Sequence, residues 1–328
     1  LGGGGGGAGP RGGGGGGPAT PPPPPPPPPP APPAGGGGGP PGGRGLIEMG
    51  ARRTHELAAV AASRAAYVGG FDSTSDLAAG FRYGIPTVGT SAHAFTLLHD
   101  TERDAFRVQV DALGRGTTLL VDTYDVGEAV RTAVEVAGPG LGAVRIDSGD
   151  LLLVAHRVRQ QLDELGARET RIVVTSDLDE YAIASLAAAP VDAYGVGTQL
   201  VTGSGHPTSS MVYKLVARAD STDPGAPLRP VAKRSVGGKT SLAGRKWAAR
   251  RLDSEGVAEA EVVGTGAVPE ELAGRQLQRQ LVKSGEVVAR EPLEAARERH
   301  IAARAGLPLS AVQLSRGEPV LPTEYVNG

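Results

Sequence analysis

The chain contains no cysteine, which excludes disulfides and thiolate metal sites. It has no apolar run long enough to span a bilayer. Its first residues lack the charged-then-apolar order of a secretory signal. It also lacks an excess of either charge: 33 Lys and Arg stand against 35 Asp and Glu, a net charge of −2. That balance leaves no electrostatic footprint for nucleic acid. A cytoplasmic protein that meets small molecules, with neither nucleic acid nor membrane as partner, fits these absences.

What is present is unevenly distributed. The first 45 residues are nearly all Gly and Pro, with an unbroken proline run at 21–30. Such chain is flexible or extended and buries no apolar surface, so 1–45 reads as a solvated, disordered leader. The Ala- and Arg-rich, Lys-poor makeup looks like a GC-rich coding sequence. About 280 residues remain, enough for one large domain or two modest ones.

From 46 to 220 a pattern repeats. Short, continuously apolar runs predict strands at 85–90, 117–122, 143–147, 171–175, 192–196 and 211–217. Helical spacing predicts helices at 55–68, capped by Thr54, and after Ser75 to about Gly84. Further helices are predicted at 92–113, 126–136, from 151 to Leu165, and at 178–188. Such βα units imply an α/β barrel or wound sheet of parallel strands. From 221 to 328 the character changes to a smaller β-rich portion. Strands are expected at 231–235, 246–252 and 258–263, hairpin turns at 253–256 and 283–286, and a helix at 292–305 with Gly306 at its end.

The stretch AVRIDSGD (143–150) concentrates the chemistry. Arg145 and Asp147 are two residues apart on a strand and share one side. They suit an anionic substrate with a metal, and equally an internal ion pair. The other strand ends carry GTSAH (89–93), DTYD (122–125), Ser176-Asp177 and GVGT (195–198). If the strands are parallel, all of these meet at one face, where small residues let backbone N–H groups approach a phosphate. Several carboxylates there would repel phosphate unless Mg2+ mediates. Each signal has a bland counterpart: GVGT as a tight turn, His93 as a structural histidine, Asp177 as a helix cap.

With these residues in view, the chain resembles nicotinate phosphoribosyltransferase of the actinobacterial type. MGARRTHE (49–56), YGIPTVGTSAHAF (83–95), LLVDTYD, VRIDSGDL, VVTSDLDE, YGVGTQLVTG, MVYKLV and KRSVGGKTSLAGRKW (233–247) carry the resemblance, which runs from about 46 to 326. It implies an irregular type II phosphoribosyltransferase barrel of βα units with a partial second β-rich domain, usually a homodimer. It implies transfer of the phosphoribosyl group of phosphoribosyl pyrophosphate to nicotinate, giving nicotinate mononucleotide and pyrophosphate in NAD salvage, with ATP hydrolysis and Mg2+. His93 matches the histidine phosphorylated by ATP, and Asp147 an acidic residue near ribose and base. Arg145 and Thr90 match the pocket for the nicotinate carboxylate. Gly195, Gly197 and Thr198 match the phosphate-binding turn, Ser176 and Asp177 a phosphate and ribose contact, and Arg52 a basic residue beside the substrates. The metal ligands stay unassigned, and Lys214, Lys239, Arg245 and Lys246 are phosphate contacts or solvated charges.

The sequence departs from the family at its start. Roughly the first quarter to third of a family member is replaced by the leader, and with it go half of the second domain and a tyrosine that stacks on the nicotinate ring. The resulting expectation is unpartnered tail strands, an exposed apolar barrel face and an inactive or unstable polypeptide. Asp76 stands where asparagine is more usual, and an extra glycine occurs at 237–238. The other readings are a fragment retaining ligand binding or subunit contacts, and a related enzyme for nicotinamide or quinolinate. A barrel lyase with a Schiff-base lysine is disfavoured, because no barrel strand end carries a lysine.

Overall fold

The computed structural model describes residues 43–203, 205–206, 208–209, 211–234, 241–269, 274–315 and 317–326. The predicted leader lies almost wholly outside the described residues, as do Ser235, Lys239 and the glycine pair at 237–238. The chain enters on a short strand, β1 (Gly45–Glu48), and one turn of 3-10 helix at Ala51–Arg53. Helix α1 (Glu56–Val68), β2 (Ser73–Thr74), α2 (Leu77–Tyr83), α3 (His93–Leu97) and α4 (Glu102–Leu113) follow. Then strands and helices alternate: β3 (Thr118–Leu120), α5 (Val126–Ala137), β4 (Ala143–Ile146), α6 (Leu151–Glu164), β5 (Arg171–Val174), α7 (Glu180–Ser185), β6 (Ala193–Val196) and α8 (Thr198–Thr202).

The six strands form one parallel sheet in the order β2-β1-β6-β5-β4-β3, a curled half-barrel. Apolar side chains dictate this arrangement. All four residues of β4 are buried, as expected of a parallel strand covered on both faces. Val144, Ile146 and Ile172 of the sheet pack with Phe106, Val130, Val158 and Leu162 of the helices in one core. Because the strands are parallel, their C-terminal ends lie along one rim.

Several sequence expectations are corrected. Residues 85–90 are not a strand: Pro86 has no N–H to give, and Thr87 makes only a single bridge to Thr74. The strands that do stand there are β1 and β2, too short to show a period. The run at 211–216 forms no strand, and Met211, Val212 and Tyr213 are largely exposed. Apolarity without a neighbouring ladder does not make a strand. The predicted helix at 92–113 breaks before Thr101, whose side chain accepts from Asp104 N and caps α4. His55, not Thr54, caps α1, and Asp76, not Ser75, caps α2, accepting from Ala78 N and Ala79 N at 2.9 and 3.2 Å. Asp76 thus satisfies orphan amide donors. Helix α7 is shorter than predicted and begins at the cap Asp179.

Beyond α8, β7 (Ala217–Ala219) pairs with β8 (Leu228–Pro230), in place of the strand predicted at 231–235. Next come β9 (Lys246–Leu252), β10 (Ala258–Thr265), β11 (Gly274–Gln276), the hairpin β12 (Val282–Lys283) and β13 (Glu286–Val287), α9 (Leu293–Ala305), a 3-10 turn at Leu309–Val312 and β14 (Thr323–Val326). A second sheet has the order β11-β9-β10-β14. Its β9–β10 turn needs Gly256 at φ 84°, a conformation open to glycine. Helix α9 docks on α1: Arg297 donates to the Tyr67 and Phe71 carbonyls and stacks 4.5 Å from the Tyr67 ring centroid. Among the described residues no helix is long and apolar enough to cross a membrane.

Candidate active site

The rim is organised by Arg145, the third residue of β4, which is 9% exposed. Its Nε donates to Thr175 Oγ1 at 2.8 Å and its Nη1 to Thr90 Oγ1 at 2.6 Å. Its Nη2 lies 3.0 Å from Asp147 Oδ1. The internal ion pair left open by the sequence therefore forms, and it forms at the mouth of the sheet. Asp147 is aimed from behind: Asp122 Oδ2 accepts from Asp147 N at 2.8 Å and from Ser148 Oγ at 2.7 Å. Thr175 Oγ1 also donates to Asp147 Oδ1. The other oxygen, Oδ2, faces His93 Nε2 at 3.8 Å, and His93 Nδ1 is 3.1 Å from Thr123 Oγ1. Burial pushes the Asp147 carboxyl up, but the Thr175 hydrogen bond, the Arg145 guanidinium and His93 together hold it below the usual carboxylate range.

A cleft opens beside this cluster. Arg52, Arg145, Asp147, Ser176, Asp177, Gly195, Gly197 and Thr198 all line it. Thr90 joins through Arg145 and His93 through Asp147, so these ten residues meet at one rim. The bland readings separate here. Asp150 caps α6, accepting from Leu153 N at 3.1 Å, whereas Asp147 turns to the cleft. Asp179 caps α7, which leaves Asp177 on the cleft wall.

Local backbone shape explains the small residues. A Cβ on Gly195 would come 2.5 Å from Thr175 Cγ2 and 2.6 Å from Met49 Sδ. Ser176 sits at φ 126°, a strained conformation for a residue with a side chain, held at the cleft by its surroundings. Sequence reasoning missed Met49, Arg53 and Thr175, which also line the cleft. Met49 and Arg53 lie inside the MGARRTHE segment, so that segment was their signal. Thr175 looked only like the end of an apolar strand. Glu48 was missed too: 1% exposed, it accepts from Ser63 Oγ, Thr74 Oγ1 and Gly50 N, and so holds the turn leading to Arg52. Lys246, a candidate phosphate contact, donates instead to the Leu242 and Gly244 carbonyls.

Among the described residues no group of three or more His, Asp or Glu side chains is placed to hold a metal ion. The rim offers instead guanidinium groups from Arg52, Arg53 and Arg145 facing carboxylates from Asp147 and Asp177. That arrangement suits a ligand with separated negative and positive charge.

No protein-family model matches the chain. It is 52% identical over 295 residues to nicotinate phosphoribosyltransferase pncB1 of Mycobacterium tuberculosis, covering 87% of this chain and 64% of that protein. It is 41% identical over 180 residues to nicotinate phosphoribosyltransferase of Bacillus subtilis, covering 52% and 36% respectively. The crystal structure of human nicotinic acid phosphoribosyltransferase superposes with a TM-score of 0.66 at 24% identity over 86% of this chain and 68% of that one, a likeness that bears on the fold. The chain is thus a homologue of the nicotinate phosphoribosyltransferases, with the half-barrel of that fold and 64% of the length of the relative matched first.

Proposed function

We propose that this rim transfers the phosphoribosyl group of phosphoribosyl pyrophosphate to the ring nitrogen of nicotinate, giving nicotinate mononucleotide and pyrophosphate for NAD salvage. The observation that carries this reading is the buried Arg145, paired with Asp147 and opening onto a cleft with Arg52, Gly197 and Thr198. A guanidinium gives fork-like recognition of a carboxylate. Nicotinamide offers no charge to that fork and is expected to lose on the order of 100-fold in kcat/KM.

The chemistry asks little of proton transfer. The pyridine nitrogen lone pair forms the bond to the ribose C1 as the C1–oxygen bond breaks, and the electron pair departs with pyrophosphate. Positive charge grows on the ribose and negative charge on the leaving group. Asp147, its carboxyl held below the usual range, is suited to the former and Arg52 and Arg53 to the latter. In this reading Mg2+ enters on the pyrophosphate of the substrate. ATP is the co-substrate, and His93, partly exposed beside Asp147, is its phosphate acceptor. Phosphorylation would place new negative charge at the rim and couple ATP use to the ordering of that surface. We further infer a homodimer, checked by sedimentation.

Incubation of the full chain with labelled ATP tests the assignment, followed by mapping of acid-labile phosphate and assay of nicotinate mononucleotide. Label at His93 and product formed from nicotinate in preference to nicotinamide and quinolinate are expected. Label on another residue, or no nicotinate mononucleotide from the wild-type chain, would overturn the reading.

A further inference from the structure

The hydroxyl of Thr175 stands between the two charged groups at the centre of the rim. Thr175 is 3% exposed and follows β5 directly. Arg145 Nε has only a proton to give, so at 2.8 Å the Thr175 oxygen is its acceptor. The single hydroxyl proton is then directed at Asp147 Oδ1. Oδ1 also faces Arg145 Nη2 at 3.0 Å, while Oδ2 is left toward His93 at 3.8 Å. One neutral group thereby decides how the two Asp147 oxygens are divided between arginine and histidine. A second observation explains why the residue is threonine. Its methyl occupies the space where a Gly195 side chain would start, since a Cβ there would come within 2.5 Å of Thr175 Cγ2. With the methyl seated, χ1 is restricted and the hydroxyl is held on the arginine–aspartate axis.

We propose that Thr175 is a positioning residue, with Gly195 as the seat of its methyl group, and that the pair sets the orientation of Arg145 and Asp147 toward nicotinate and His93. The consequence for nicotinate rests on the function proposed above; the coupling between the side chains does not.

The test uses the full chain as wild type, Thr175→Val, Thr175→Ser, Gly195→Ala and the Thr175→Ser/Gly195→Ala double variant. Two readouts are followed: the 13C titration of the Asp147 carboxyl, assigned by Asp147→Asn, and kcat and KM with nicotinate and nicotinamide. Thr175→Val keeps the side-chain shape and removes the hydroxyl. It is expected to move the Asp147 titration up toward the ordinary aspartate range and to raise KM for nicotinate ~10-fold with a smaller change in kcat, the scale of a lost charge-assisted hydrogen bond. Thr175→Ser should keep the low titration and stay within about 3-fold of wild type. Gly195→Ala should weaken nicotinate binding in the wild-type background and do so less in the Thr175→Ser background, where the collision with the threonine methyl is gone and only that with Met49 Sδ remains. An unmoved Asp147 titration in Thr175→Val, or a Gly195→Ala penalty of the same size in both backgrounds, would sink the proposal. Should Thr175→Val fail to fold, the Ser/Ala cycle decides it. A wild-type chain without nicotinate turnover condemns the functional reading alone, because the titration still answers for Thr175.

Discussion

The two sheets of this protein handle charge in opposite ways. In the parallel half-barrel, charge lies inside: Arg145 and Glu48 are nearly buried, the first held by two hydroxyls and Asp147 and the second by two hydroxyls and a backbone amide. In the second sheet, where β10 runs antiparallel to β9 and parallel to β14, most charge reaches solvent, Arg250 being the more enclosed. Arg251 pairs across strands with Glu259 and Glu324, all with substantial exposure. The buried positions there are small or aromatic and alternate along the strand, as in β10, where Ala258, Ala260, Val262 and Gly264 are buried. A strand covered on both faces can keep a charge only where hydrogen bonds replace water. A strand with one wet face can leave its charges in solvent at little cost. The two sheets therefore differ in what a single substitution removes.

The largest effect is expected from Arg145→Leu, which strips Asp147 of its cation. A loss of about 3 kcal/mol in urea unfolding at neutral pH is expected, together with loss of nicotinate recognition. The acid side sharpens the comparison. The folded-state Asp147 carboxyl titrates below its ordinary value, so its stabilising contribution is complete above about pH 4 and is lost as pH falls through the folded-state midpoint. Arg145→Leu should flatten that part of the stability profile. Next comes Gly264→Ala in the second sheet. A Cβ there would lie 2.2 Å from the Trp247 ring, its cross-strand neighbour. About 2 kcal/mol of destabilisation is expected by thermal or urea unfolding, with Arg145 and its partners untouched.

Glu102, in the first turn of α4, is a smaller case of the inside rule broken. Burial, with Asp125 nearby, pushes its carboxyl up to about 7, and Oε1 is buried without a hydrogen-bond partner among the described residues. A raised carboxyl favours the folded state while protonated, so its cost appears as pH rises from about 4.5 through 7. Glu102→Gln should stabilise the protein by on the order of 1 kcal/mol at pH 8, allowing for partial exposure, and by nothing measurable at pH 4. The smallest effect is expected from Arg251→Ala, which should leave Tm within about 1 °C despite two short contacts to Glu324. A drop comparable to that of Arg145→Leu would erase the contrast between the two sheets.

Much of this was legible along the chain. The runs that became β3 to β6 and the helices α5 and α6 carry strong period and clear caps, and β9 and β10 alternate openly. The candidate site was legible as strand ends, because parallel strands deliver their C-termini to one rim whatever their order. β1 was invisible because two apolar residues carry no period and β2 because Ser73–Thr74 has none, and the run at 211–216 misled because apolarity does not reveal whether a ladder neighbour exists. Thr175 escaped notice for a related reason: a threonine closing a β-branched run is what any strand would show.

The sequence by itself determined which residues gather at the rim, since local hydrophobic period sets strand, helix and the turn between them. Only the tertiary structure decided what those residues do to one another. Asp147 faces the cleft while Asp150 caps a helix, and Thr175 reaches both Arg145 and Asp147. These outcomes depend on side-chain direction and on the registry of neighbouring strands, Arg145 opposite Val173 and Val173 in turn opposite Ala193. Hydrogen bonds between residues 30 positions apart are made by that registry, which no local pattern encodes.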